Sequence, residues 1–126
     1  MHKSKGRVES EISGAISQFE KEYLGRGPKE TKAYIIQDMV LVRLKGILTP
    51  AEEKLAKEED GIRVIKEIRN RLIESSRPLL EDIIKTHTGL KVVSLHTDIS
   101  ARNGERIFIF VLERNLERQM LEQAGE

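Results

Sequence analysis

The chain has no cysteine and no tryptophan, and its 126 residues include only two tyrosines and three phenylalanines. Without cysteine it has no disulfides, thiolate nucleophiles or sulfur-ligated zinc, and a reducing compartment is favoured, with the cytoplasm as the default. So few aromatic residues leave no platform for stacking nucleic-acid bases. The formal net charge is +1, so no overall field attracts nucleic acid or anionic lipid. We therefore expect no nucleic-acid partner.

Long apolar runs are also missing. No segment approaches the roughly 20 apolar residues of a membrane span, and the basic start is not followed by an apolar run of signal-peptide length. We expect one domain over residues 1–126, with a short helix that frays over about 114–126, located in the cytoplasm and reaching a membrane only through a partner. The 34% of charged residues fits a thermophilic source and an ordinary charged surface equally well.

Periodicity and turn residues divide the chain into elements. Apolar residues three and four apart predict a helix over residues 6–24, and two β-branched runs at 31–36 and 39–45 predict a hairpin. Thr49, Pro50 and Glu52 together mark a helix start. A longer helix follows from about residue 62, and Pro78 predicts a kink or a restart capped by Ser75 or Ser76. A second hairpin turns at residues 101–104, where Asn and Gly tolerate positive φ.

These elements predict an α+β fold in the order α-β-β-α-α-β-β-α. Two hairpins form a four-stranded antiparallel sheet, which the N-terminal helix and the long kinked helix pack against. The spacing of apolar residues predicts that the long helix buries a seam of Ile65, Ile68, Leu72, Leu79 and Ile83, broadened by Ile73, Leu80 and Ile84. Its arginines at positions 63, 69, 71 and 77 alternate with glutamates and indicate a solvated face.

Two strand segments lack the alternation of a sheet that is wet on one face. Residues 107–112 read IFIFVL and residues 39–42 read MVLV. Continuous apolar runs indicate strands covered on both faces. Either the first helix packs opposite the long helix or a second copy of the chain covers that face. We favour a homodimer, because the helices are few and strand edges invite pairing.

A polar run in the third strand is the first candidate site. His96 and Asp98 lie two apart on one strand, so both side chains project from the same face about 6.6 Å apart. A metal centre there would need further carboxylates, and an acid–base pair would need a nucleophile or a water beside it. Polar strand residues bonded to a neighbouring loop explain the run more simply. We therefore assign no catalytic residue, no metal and no cofactor.

The second candidate is the connection after the first helix. Arg26, Gly27, Pro28 and Lys29, preceded by Gly25 and followed by Lys32, could present backbone amides and cations to a phosphate, carboxylate or lipid headgroup, but the segment lacks the spacing of a phosphate loop. A helix end followed by a strand entry explains the glycines without a ligand. Arg26 is the residue that this simpler explanation accounts for least.

Four segments, taken in order, resemble the bacterial MpsC-like family over about residues 5–113: GRGPK at 25–29, LKGILTPAE at 44–52, RNRLIESSRP at 69–78, and VVSLHTDIS with GERIFIF after it. The resemblance implies a soluble accessory component of a Na+-translocating, membrane-potential-generating system, in a context also connected with bicarbonate uptake, and it supplies no catalytic residues. The best-matching surface segments are the positions expected to contact a ligand or partner, namely Arg26, Gly27, Pro28, Lys29, His96, Thr97, Asp98 and Ser100.

Three functions follow as hypotheses. The leading one is a homodimeric, non-enzymatic interaction module that docks on membrane-transport subunits. The second is a regulator in which Arg26, Lys29 and His96 hold a small anion. The third is a small enzyme that uses His96 and Asp98.

Overall fold

A computed structural model describes residues 3–125 and has the predicted α+β class and element order. The long kinked helix is two helices that meet at Ser76. The elements are α1 (Lys5–Tyr23), β1 (Glu30–Ile36), β2 (Met39–Lys45), α2 (Pro50–Leu55), α3 (Glu59–Ser75), α4 (Arg77–Thr88), β3 (Val92–Ser100), β4 (Glu105–Leu112) and α5 (Leu116–Ala124).

Local chemistry explains where the helices begin and end. The Thr49 hydroxyl accepts from the Glu52 amide, and the Glu52 carboxylate accepts from the Thr49 amide, so the predicted capping box is confirmed. Pro78 lies in the first turn of α4, where its missing N–H costs nothing. The predicted restart is therefore confirmed, with Ser76 at the cap position, although the Ser76 hydroxyl makes no capping hydrogen bond. Gly89 ends α4 with a φ of 74°, a conformation that favours glycine.

The two hairpins form one antiparallel sheet with the strand order β1-β2-β4-β3. The central strands β2 and β4 pair with each other, so β1 and β3 are the edges. Val40 lies opposite Phe110, and Val42 lies opposite Phe108. This pairing of the hairpins brings residues from the two halves of the chain into one surface.

All of the helices that contribute to the core pack on one face of the sheet. Val42, Phe108 and Phe110 are fully buried on that face, in a single cluster with Ile12 and Ile16 of α1. The cluster also contains Ile65, Ile73, Leu80 and Ile84 from α3 and α4. The first helix therefore does not pack opposite the long helix, and within residues 3–125 that explanation for covering the second face is wrong.

The predicted seam of the long helix is wrong at three of its five positions. Ile68, Leu72 and Leu79 are 53%, 39% and 37% exposed. Instead α3 buries Gly61, Ile65, Arg69 and Ile73, spaced four apart. Across the break at Ser76, α4 continues this face with Leu80 and Ile84, which together with Ile73 were expected to broaden the seam. We call Val64, Ile68 and Leu72, which follow one exposed side of α3, the α3 stripe.

Candidate functional site

The first predicted segment lies between α1 and β1, where it serves the backbone. The Arg26 guanidinium donates to the Leu48 carbonyl at 2.8 Å and lies 4.0 Å from Glu53. The Lys29 amide donates to the Lys45 carbonyl at 2.8 Å and prolongs the β1–β2 pairing. Gly27 and Pro28 are half-buried beside them. Arg26 thus ties this connection to the loop before α2.

The second predicted segment is divided between the two faces of the sheet. His96, Asp98 and Ser100 are exposed on the face without helices. Thr97 points to the helix side, where its hydroxyl donates to the Ile107 carbonyl and accepts from Arg106, both at 2.8 Å. The Asp98 carboxylate accepts from the Ile99 amide at 2.8 Å and lies 3.4 Å from Lys66. That amide and Lys66 lower the pKa of Asp98 below its usual value.

The sheet order keeps the two predicted segments apart. Lys29 continues one edge strand and Ser100 ends the other, at the same end of the sheet. Three strand spacings separate those edges, or roughly 14 Å. Within residues 3–125, no group of three or more His, Asp or Glu side chains is placed to hold a metal ion.

Side chains form hydrogen bonds with backbone groups at both edges of the sheet. On β1 the Ile35 amide donates to the Glu9 carboxylate of α1 at 2.8 Å. On β3 the Leu95 carbonyl accepts from Arg77 of α4 at 2.8 Å. Unpaired edge groups are what another strand would bind, so these contacts oppose pairing of either edge with a second sheet.

The sequence interpretation missed a buried cluster of charges under the helices. Glu20, Arg69 and Arg106 are at most 2% exposed. Arg69 binds both oxygens of Glu52, with Nε to Oε2 at 2.8 Å and Nη2 to Oε1 at 2.6 Å, and Nη2 also donates to the Ile47 carbonyl at 2.9 Å. The expectation that Arg69 belongs to a solvated face is therefore wrong. Its spacing of four from Ile65 and Ile73 was the signal that marked it as buried.

Glu20 has an unusual position in this cluster. No group in residues 3–125 donates a hydrogen bond to either of its oxygens, and Arg69 Nη1 lies 4.0 Å from Oε1. Burial raises the pKa of Glu20 to about 7, although Arg69 and Arg106 act in the opposite direction and Glu52 adds to the rise. Burial likewise lowers the pKa of Arg106 to about 10. Glu20 therefore changes its charge near neutral pH.

The raised pKa predicts how Glu20 affects stability. The folded state holds the Glu20 proton more tightly than the unfolded chain, so its contribution to folding is present at low pH and is lost as the pH rises from 4.5 to about 7. Glu20→Gln stays neutral and avoids this loss. We expect the variant to match the wild type near pH 4.5 and to be more stable at about pH 8, by on the order of 2 kcal/mol. Urea unfolding of both proteins across that range measures the difference. A difference that does not change with pH would contradict the assignment.

The helix-free face of the sheet carries an apolar patch, which we call the open-face patch. Its members lie on three neighbouring strands and are half-buried by one another or exposed: Tyr34, Ile36, Met39, Leu41, Ile107, Ile109 and Val111. Beside it is a cleft of about 160 Å³ lined by Glu30, Lys32, Tyr34, Arg43 and Lys45. Both strands with continuous apolar runs thus bury one set of side chains under the helices and leave the other set uncovered.

Sequence comparison places this fold in a family. A family model described as "Na+-translocating membrane potential-generating system (MpsC)" matches residues 4–114. The chain belongs to the MpsC family. The uncharacterized protein YbcI of Bacillus subtilis (strain 168) is 51% identical over 120 residues, which cover 95% of this chain and 97% of that protein. The uncharacterized protein YrhF of the same strain is 26% identical over 111 residues, which cover 86% and 90% of the two chains.

No solved structure matches the chain significantly. Among the described residues, the longest and most apolar helices all fall short of what a bilayer crossing needs. The family resemblance expected from the four sequence segments is confirmed, and the family description connects the chain with Na+ transport.

Proposed function

We propose that this protein is an accessory or regulatory component of a Na+-translocating membrane system, that it acts by protein–protein contact as a homodimer, and that it catalyses no reaction. The observation that carries the proposal is the family match, which spans residues 4–114 and therefore nearly the whole fold. The absence of cysteine favours the cytoplasm as its location, where a partner would hold it at the membrane.

The exposed surfaces support a role in protein contact. Large apolar side chains are exposed on α3 and on the helix-free face, and charged residues surround both regions. Apolar patches of this kind mark interaction sites on proteins that otherwise have highly charged surfaces. The two surfaces lie on opposite sides of the sheet, because α3 packs on the helix-covered face through Ile65 and Ile73. One molecule therefore has room for two different contacts.

A deletion strain of the native organism tests the proposal. We expect loss of the gene to reduce the Na+-dependent part of the membrane potential, measured with a potentiometric dye at low and high external Na+. The wild-type gene should restore it. A gene carrying the control substitution Arg71→Ala should restore the potential too, because Arg71 is exposed and its pair with Glu67 is a surface contact. A deletion strain whose potential and Na+ tolerance are both unchanged would contradict the proposal.

A small-anion regulator is the second candidate, and the cleft beside the open-face patch favours it. Lys32, Arg43 and Lys45 bring three cations to that cleft, although Glu105 and Glu30 pair with Arg43 and Lys45. A ligand that binds only the folded state raises the unfolding midpoint as its concentration rises. Thermal unfolding with increasing bicarbonate or inorganic phosphate, compared with chloride at equal ionic strength, is the corresponding measurement.

A further inference from the structure

The helix-free face of the sheet has a regular arrangement of charge and apolar surface. Its side chains form four rows across the strands β1, β2, β4 and β3. From one end of the sheet to the other, the rows are Glu30-Lys45-Glu105-Ser100, Lys32-Arg43-Ile107-Asp98, Tyr34-Leu41-Ile109-His96 and Ile36-Met39-Val111-Ser94. The apolar residues of β1, β2 and β4 fill the last two of these rows, and the charged residues lie in the first two. Lys32, Arg43 and Lys45 lie on the β1–β2 side together with Glu30, and Asp98 and Glu105 lie on the β3–β4 side.

We propose that a second copy of this chain covers this face, related to the first by a two-fold axis that runs parallel to the strands between β2 and β4. The inference rests on the homodimer of the proposed function and specifies its surface and symmetry. Two sheets that pack face to face keep their strands roughly aligned. In this arrangement β2 of one copy lies over β4 of the other, and β1 lies over β3.

The row order explains why this axis fits. Rotation about it keeps each residue in its row and exchanges the two sides of the sheet. Lys32 then lies over Asp98 of the other copy, and Lys45 lies over Glu105. In the apolar rows Leu41 meets Ile109 and Met39 meets Val111. Opposite charges and apolar surfaces therefore coincide in a single symmetric arrangement.

The other two-fold axis in the plane of the face fits poorly. An axis perpendicular to the strands places each strand over the same strand of the second copy and reverses the order of the rows. Lys45 would then lie over Met39, and Arg43 over Leu41. Both cations would be buried on apolar side chains with no opposite charge from the other copy, which is costly even though Glu105 and Glu30 of their own chain pair with them. In the proposed arrangement Arg43 also meets an apolar residue, Ile107, but Lys45 and Lys32 face Glu105 and Asp98 of the other copy.

Contacts at the sheet edges also favour this face over pairing of strands between copies. The Ile35 amide on β1 donates a hydrogen bond to Glu9, and the Leu95 carbonyl on β3 accepts one from Arg77. An edge-to-edge dimer would have to displace these side chains. A face-to-face dimer leaves both contacts in place.

The size of the face sets the expected strength of the dimer. Four strands about 4.8 Å apart and about seven residues long cover roughly 450 Å² of sheet per copy, before side-chain relief is counted. A standard interface buries about 800 Å² per partner. We therefore expect a reversible dimer that dissociates on dilution in the micromolar range.

Sedimentation velocity over a dilution series tests the apolar part of the interface. We expect the wild-type mass to rise from that of the 14.4 kDa chain to twice that value as concentration increases. Ile109→Lys should raise the dimer dissociation constant by about 100-fold or more, because it places a cation at the centre of the contact. Ile68→Lys is the matched control on the α3 stripe and should leave the constant unchanged. Circular dichroism checks that both variants are folded.

Exchange of charge tests the symmetry. Lys32→Glu and Asp98→Lys should each weaken self-association about 10-fold, because each dimer would bring two pairs of like charges together. An equimolar mixture of the two variants should associate again, because the mixed dimer pairs opposite charges at both positions. Rescue by mixing is not expected from a variant that is simply destabilised.

Each outcome decides one part of the proposal. A wild-type chain that stays monomeric at all concentrations would remove the homodimer while leaving the Na+-dependent potential assay as the test of the transport function. A dimer that Ile68→Lys dissociates, or that neither Ile109→Lys nor the charge exchange weakens, would overturn the assignment to this face and keep the homodimer.

Discussion

Arg69→Met is expected to lower the free energy of unfolding by about 3–5 kcal/mol, the usual cost of removing one partner from a buried ion pair. The Arg69 guanidinium binds both oxygens of Glu52 and the carbonyl of Ile47. Glu52 in turn holds the capping box at the start of α2. Removing the guanidinium leaves Glu52 and Ile47 without that partner and takes a positive charge away from Glu20. Methionine fills a similar volume, so the loss reports charge and hydrogen bonding more than packing.

Two companion variants make this prediction specific. Arg71→Met changes an exposed arginine on the same helix, whose pair with Glu67 at 3.4 Å is a surface contact, and should leave the free energy of unfolding nearly unchanged. Arg69→Lys keeps the charge but not the two-pronged contact with Glu52, so its loss should be intermediate. Equal urea midpoints for Arg69→Met and Arg71→Met would show that the buried cluster does not stabilise this fold.

Gly61→Ala is expected to destabilise the protein by about 2–3 kcal/mol, in the range found for overpacked sites. A Cβ at position 61 would lie 1.8 Å from the Leu55 carbonyl oxygen and 2.6 Å from its carbon. These are backbone atoms, so no side-chain rotation relieves the clash, and α2 has to move away from α3. Thermal or urea unfolding measures the loss.

Gly14→Ala is the matched control for this glycine. Gly14 lies within α1, and a Cβ there would meet nothing within 4 Å. Alanine is the better helix former, so we expect a gain of about 0.5–1 kcal/mol. Similar gains at positions 14 and 61 would contradict the close approach of α2 and α3.

Local signals in the sequence were sufficient to predict most of the element boundaries. Thr49, Pro50 and Glu52 act within four residues of one another, so their capping contacts do not depend on the rest of the fold. The same holds for Pro78 at the start of α4 and for the turn that ends at Gly104, whose φ is 63°. Strand order was not accessible in this way, because the pairing of β2 with β4 joins residues at least 60 positions apart.

The buried faces of the helices were harder to predict, because a buried charge breaks the apolar pattern. Arg69 replaces an apolar residue in the row that α3 presents to the core, and Ile68 and Leu72 beside it mimic a buried seam. Arg106 does the same in β4, where it lies on the covered face in line with Phe108 and Phe110. Acidic partners that are distant in sequence, such as Glu20 and Glu52, offset the cost of burying these arginines. No local pattern in the sequence identifies those partners.

The candidate site residues show a similar division. Strand periodicity correctly places His96 and Asp98 on one face, and the same rule places Thr97 on the other, where it bonds to Arg106. The sequence could not tell which face the helices would cover. The assignment of the candidate site residues as contact residues stays a prediction. The proposed dimer places Asp98 and His96 opposite Lys32 and Tyr34 of the second copy.

Cysteine cross-linking shows whether the helix-free face of the sheet binds a second copy of the chain. The chain has no cysteine, so Leu41→Cys introduces a single reactive site beside the proposed axis. Ile68→Cys places one on the α3 stripe. When each variant is treated with a short bismaleimide, we expect Leu41→Cys to give a covalent dimer and Ile68→Cys to stay monomeric. A covalent dimer from Ile68→Cys, or none from Leu41→Cys at concentrations where the wild type is dimeric, would contradict binding through this face.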